Sequence, residues 1–135
     1  MIYQIHLWLT IALCTLIWFV QIVHYPSFEF YDADHFKQGM LAHQRRISYL
    51  VMPLMLSELF ITLFSIFSEP NLSHFIVLGI VIMIWISTYF VQIPIHNLLT
   101  EKKDHGPIVK LVLTNWIRTV LWSFKLFYLF AMTSA

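Results

Sequence analysis

Four long apolar runs divide the chain, Ile2 to Val23, Ile47 to Phe67, Phe75 to Ile95 and Ile108 to Ala131. Each matches the roughly 20 residues that a helix needs to cross a bilayer core. The runs are continuous rather than alternating, so they are not barrel strands, and an open sheet could not satisfy its edges in lipid. The expected fold is all-α: a transmembrane four-helix bundle built from two helical hairpins. It forms a single transmembrane domain over residues 1–135, with helices at about 2–24, 44–67, 74–96 and 108–131. Apolar residues make up 59% of the chain and charged ones 11%, a balance far from that of soluble domains. The first run lacks a basic leader and a small-residue cleavage site, so it reads as a span rather than a removable signal peptide.

The breaks between runs are marked by proline and glycine. Pro26 closes the first helix, Ser68-Glu69-Pro70-Asn71 turns between the second and third, and Gly106-Pro107 opens the fourth. Pro53 and Pro94 fall inside runs and are expected to kink them, freeing carbonyls that only neighbours or water can satisfy. Lys37, Arg45 and Arg46 lie in or beside the first long connection, and Lys102, Lys103 and Lys110 in or beside the second. The positive-inside rule places those connections, Tyr25–Gln44 and Asn97–Pro107, in the cytoplasm and both termini outside, as expected for a bacterial inner-membrane protein. A net charge of +1 offers no basic field, which excludes nucleic acid as a partner. Cys14 is the only cysteine, so it forms neither an internal disulfide nor a thiolate metal site.

The chain also repeats itself. Phe19-Val20-Gln21-Ile22 recurs as Phe90-Val91-Gln92-Ile93, and His24 and Arg46 recur one residue further on as His96 and Arg118. A one-residue insertion around Pro94 reconciles the two offsets and suggests two hairpins of like orientation.

Polar residues from four segments converge at one membrane level. Gln21 with His24, and Gln92 with His96, each share a helix face, and Tyr89 precedes Gln92 on the same face. Asn115, Arg118, Trp122 and Lys125 form a stripe on the fourth helix. Glu58 stands about 22 Å beyond His43, past the bilayer midplane. Ionisable groups at that depth cost at least about 2.5–3.5 kcal/mol. Glu58 and Arg118 should therefore face the bundle and pair with each other or with other polar groups, unless Glu58 is protonated. A structural ion pair setting the bundle's register is the alternative to a functional one.

Neutral imidazole is the commonest metal ligand, and bundle cores are built to hold such sites. His24, His43 and His96 are the candidate ligands for a metal ion or haem, with Glu58 a further carboxylate if its helix bends at Pro53. Interfacial histidines bonded to loops or headgroups are the competing reading. The catalytic candidates are Arg118, Arg46, Asn115 and Glu58, the arginines as stabilisers of a developing oxyanion. Gln21, Gln92, Tyr89 and Trp122 are the candidates for contacting a cofactor. Met40, Met52 and Met55 read as core packing rather than a copper site.

The strings FVQIVHYPSF, HQRRISYLVMPLMLSE, QIPIHNLL and LTNWIRTVLW resemble a family of small bacterial four-helix membrane proteins of uncharacterised function. More distantly, the end of the third helix and Asn115-Trp116-Ile117-Arg118-Thr119 resemble the anthrone-oxygenase-like membrane domain family. The overall layout is similar to that of haem-binding four-helix protoporphyrinogen oxidases of bacteria. These resemblances imply oxidation of a flat, apolar substrate within the membrane. The expected function is a membrane-embedded oxidoreductase or redox-cofactor protein acting on an aromatic or isoprenoid molecule near the cytoplasmic side. The alternative is a non-enzymatic lipid- or small-molecule-binding protein, or a subunit of a membrane complex, with Arg45, Arg46, Lys102 and Lys103 holding anionic headgroups.

Overall fold

A computed structural model describes residues 1–134, and these are helical almost throughout, with no strand among them. Helix α1 (Ile2–Phe19) passes through a wide π-helical turn (Val20–His24) and ends in a 3-10 turn (Pro26–Phe30). Helix α2 spans Phe36–Ser68. Helix α3 (Leu72–Ser87) runs through a second π-helical turn (Thr88–Gln92) into the short α4 (Ile93–Glu101), and α5 spans His105–Ser134. The Asn71 side chain caps α3 by accepting from the His74 backbone N–H at 2.9 Å, while Pro26 sits at the start of its 3-10 turn, where no N–H is needed.

Packing closes the four rods into a ring. Helix α1 lies against α2 and α5, and α3–α4 lies against α2 and α5, with the α1/α3 and α2/α5 diagonals left to side chains. Lys103 Nζ donates to the carbonyls of Glu29 and Tyr31, each at 2.7 Å, so the two longer connections lie together at one end. At the other end the Tyr3 hydroxyl donates to the Leu129 carbonyl, joining the two terminal segments. The result is two antiparallel hairpins of the same orientation.

Burial is inverted relative to a soluble bundle. Phe60, Phe67, Phe90 and Phe127 are 69%, 83%, 78% and 73% exposed, whereas Glu58, Asn115, Thr119 and Lys125 are 0% exposed. An outer face of bare aromatic side chains around a polar interior is the arrangement that lipid stabilises. Three helices are long and apolar enough to cross a membrane, Ile2–Phe30, Phe36–Ser68 and Leu72–Glu101. The chain is therefore an integral membrane protein. Helix α5 is as long as these, and Asn115, Arg118 and Lys125, which lower its mean hydropathy, all point into the bundle.

Several boundaries differ from those expected. Helix α2 begins at Phe36 rather than near residue 44, because Phe36, Met40 and His43 keep a helical spacing that packs against Phe28 and Tyr31. Helix α4 continues to Glu101, and the connections shrink to residues 31–35 and 102–104. In the first, His35 hydrogen-bonds Asp32 at 2.9 Å and holds its carboxyl below the usual range. Pro53 lies within an unbroken α2. Pro94 is the second residue of α4, so the helix has already widened ahead of it. A π-helical turn takes up one extra residue, and one overlaps the FVQI string of each hairpin.

Candidate functional site

The interior holds two polar clusters at different depths. The deeper is an ion pair. Lys125 Nζ lies 2.5 Å from Glu58 Oε1 and donates to Thr10 Oγ1 at 2.9 Å. Trp122 Nε1 donates to both Glu58 carboxylate oxygens at 3.2 and 3.3 Å. The side chains of Glu58 and Lys125 are fully buried, and this bond spans the α2/α5 diagonal. Thr62, which donates to the Glu58 carbonyl at 2.7 Å, also contacts His6 Nε2 at 3.4 Å. The partner of Glu58 is thus Lys125, not Arg118.

The second cluster lies nearer the loops and centres on Arg118, which is 6% exposed. Its Nε and Nη2 donate to Asn115 Oδ1 at 3.0 and 2.6 Å, its Nη1 to Thr88 Oγ1 at 3.4 Å, and its Nη2 also to the Tyr25 hydroxyl at 3.1 Å. Asn115 Nδ2 in turn donates to Gln21 Oε1 at 2.9 Å, and Gln21 Nε2 to the Val112 carbonyl at 3.0 Å. Asn115 and Gln21 therefore orient the guanidinium from behind. The Tyr25 hydroxyl makes its other bond, at 3.0 Å, with His96 Nε2. Tyr25 was not among the expected site residues.

The three expected histidines are brought side by side. His24 Nε2 and His43 Nδ1 share a hydrogen bond of 2.7 Å, and the His43 and His96 ring centroids are 5.5 Å apart. Phe28 packs edge-on against both His24 and His43, with ring centroids 5.2 Å away in each case. His43 Nε2 and His96 Nδ1 are buried without a protein partner. Among the described residues no three His, Cys, Asp or Glu side chains are grouped as a metal-ligand set.

A cavity of about 280 Å³ opens beside this cluster. Its floor and sides are largely apolar, from Leu13, Ile17, Val51 and Met55, and its polar wall is Tyr25, Gln44, Thr88, Gln92, His96 and Arg118. Trp122 lines it too, and so touches both the cavity and the Glu58 pair. His24, His43, Gln21 and Asn115 stand behind the wall rather than on it.

Two expected site residues lie elsewhere. Arg46 is exposed, because it stands about 140° around α2 from the inward seam of Met40, Met55 and Glu58. Tyr89 is 52% exposed and stacks on Trp85 with ring centroids 5.8 Å apart. In the wide π-helical turn, residues three apart no longer share a face, so Tyr89 swings outward while Thr88 and Gln92 stay inside.

Fold and site together define an integral membrane four-helix bundle enclosing a cavity with one polar wall. No protein-family model, no curated protein and no solved structure matches the chain.

Proposed function

We propose that this chain is a membrane-embedded oxidoreductase whose cavity takes an apolar, oxygen-bearing molecule of aromatic or isoprenoid type. The observation that carries this reading is the Tyr25 hydroxyl, held between His96 Nε2 at 3.0 Å and Arg118 Nη2 at 3.1 Å on the cavity wall. An imidazole and a guanidinium on one phenol make a unit that can move a proton and hold negative charge. His96 with Tyr25 accepts the proton of a ligand hydroxyl, and Arg118 stabilises the oxyanion that remains, from which electrons are more readily lost. The largely apolar lining lowers the local dielectric and so strengthens both interactions. The redox group would be a metal ion or haem, which accepts electrons. His43 Nε2 is the unpartnered ring nitrogen that could hold it, because His96 accepts from Tyr25 through Nε2 and so carries its own proton on Nδ1.

The experiment is to supply a naphthoquinol, with dioxygen as the two-electron acceptor that is reduced to peroxide, to the purified chain in proteoliposomes and follow quinone formation against protein-free vesicles under the same oxygen. Oxidation well above the vesicle background is the expected result, and a rate equal to background contradicts the reading. A second reading, non-enzymatic binding of a lipid or small molecule, is favoured by the closed Gln21–Asn115–Arg118 network, which also serves to fix the bundle. It expects binding to the same cavity with no turnover.

The proposal includes a bacterial inner-membrane location, with the loop end in the cytoplasm and both termini outside. Its support is that Lys37, Arg45, Arg46, Lys102, Lys103 and Lys110 all gather at the loop end. With Cys14 buried, single cysteines report cleanly on accessibility. Asp34→Cys should resist a membrane-impermeant maleimide in intact cells, while Ser68→Cys reacts. The reverse pattern would invert the orientation.

A further inference from the structure

The polar wall of the cavity is unbalanced in charge. Arg118 is hydrogen-bonded only to neutral acceptors, Asn115, Thr88 and Tyr25, and among the described residues it makes no ion pair. The one buried acid among the described residues, Glu58, is already held by Lys125. A guanidinium kept from water inside a bilayer is costly unless something negative meets it. The same wall carries two further polar atoms that are buried without a protein partner, Gln44 Nε2 on α2 and Gln92 Oε1 opposite. Gln44 on α2 and Arg118 on α5 thus line one cavity from two sides.

The cavity is not sealed. Of its lining residues, Ser48 on α2 and Ile93 and Asn97 on α4 are exposed on the bundle's outer surface. The mouth therefore lies between α2 and α4, flanked by Ser48, Ile93 and Asn97.

We propose that the cavity binds a lipophilic monocarboxylate, its head between Arg118 and Gln44 and its chain leaving through the α2/α4 mouth. This rests on the cavity being a binding site for an apolar, oxygen-bearing molecule, as proposed above, and the carboxylate takes the place on Arg118 that the quinol oxygen takes in that reading. A carboxylate offers one negative charge for Arg118, the one cation among the residues that line the cavity, and two oxygens for side chains on opposite helices. A phosphate, with up to two charges and three or more acceptor oxygens, would be under-supplied by one guanidinium and one amide. The remaining lining is hydrocarbon, which suits an alkyl or prenyl chain.

The test uses native mass spectrometry of the detergent-purified full chain, offered dodecanoate and dodecanol at equal concentration. One dodecanoate per chain is expected, preferred over dodecanol by about tenfold or more, as a charge-assisted hydrogen bond supplies. Arg118→Gln should remove the preference while dodecanol still binds. Gln44→Leu, near the cavity mouth and easily accommodated by the fold, should weaken the preference several-fold, so the test does not depend on the arginine variant folding. Equal binding of the two probes to the parent chain, or an unchanged preference in both variants, would overturn the carboxylate assignment and leave a neutral-ligand cavity. Binding of neither probe would remove the cavity's role as a binding site as well.

Discussion

Glu58→Leu should cost roughly 3–5 kcal/mol of stability, because it leaves the Lys125 ammonium buried with only Thr10 for a partner. Lys125→Met should cost a similar amount, since Glu58 would keep only the Trp122 N–H. The double variant is the informative one. A buried ion pair pays a desolvation penalty that can equal its attraction, so Glu58→Leu with Lys125→Met should recover most of the loss. Thermal unfolding in detergent, followed by near-ultraviolet circular dichroism, measures all three. Single variants as stable as the parent would mean that the pair is wet or that its groups are uncharged.

The second large effect is on chemistry. Tyr25→Phe keeps the ring that packs on Phe28 and His96 and removes only the hydroxyl between His96 and Arg118. Quinol oxidation should fall by about 10²–10⁴-fold, the usual range for losing a positioned proton-transfer group. His96→Phe should do the same. Tyr89→Phe, on the lipid-facing surface, should leave the rate unchanged. Equal rates for Tyr25→Phe and the parent would take the hydroxyl out of the mechanism.

Most of the fold could be read from spacing, and the misreadings have physical causes. Runs of hydrocarbon side chains bounded by Pro26, Pro70 and Gly106-Pro107 define four rods, since lipid leaves the backbone no other way to satisfy itself. The loops looked too long because residues 36–44 are polar enough to resemble a connection. They are helical because Phe36 and Met40 bury one face beyond the membrane core. The stripe of Asn115, Arg118, Trp122 and Lys125 was legible as an inward face. Which of its cations meets Glu58 was not. Arg118 and Lys125 differ by about 10 Å in height, and the relative register of the parallel helices α2 and α5 decides between them. Tyr89 was misplaced for another reason: a π-helical turn breaks the ordinary helical phase, and nothing in TYFVQ marks it. Tyr25 was passed over because an aromatic residue at a span end reads first as part of the interfacial belt.

The most direct measurement is photolabelling of the chain in lipid nanodiscs with an aliphatic amphiphile that carries a diazirine on its chain, with adducts mapped by peptide sequencing. If the cavity takes apolar molecules from the bilayer, adducts should concentrate on its lining, on Ile17, Met52, Met55 and Trp122, and should be displaced by excess unlabelled amphiphile. Labelling confined to the outer face, on side chains such as Phe60, Phe90 and Phe127, and insensitive to competitor, would contradict the assignment of the cavity as the protein's working site.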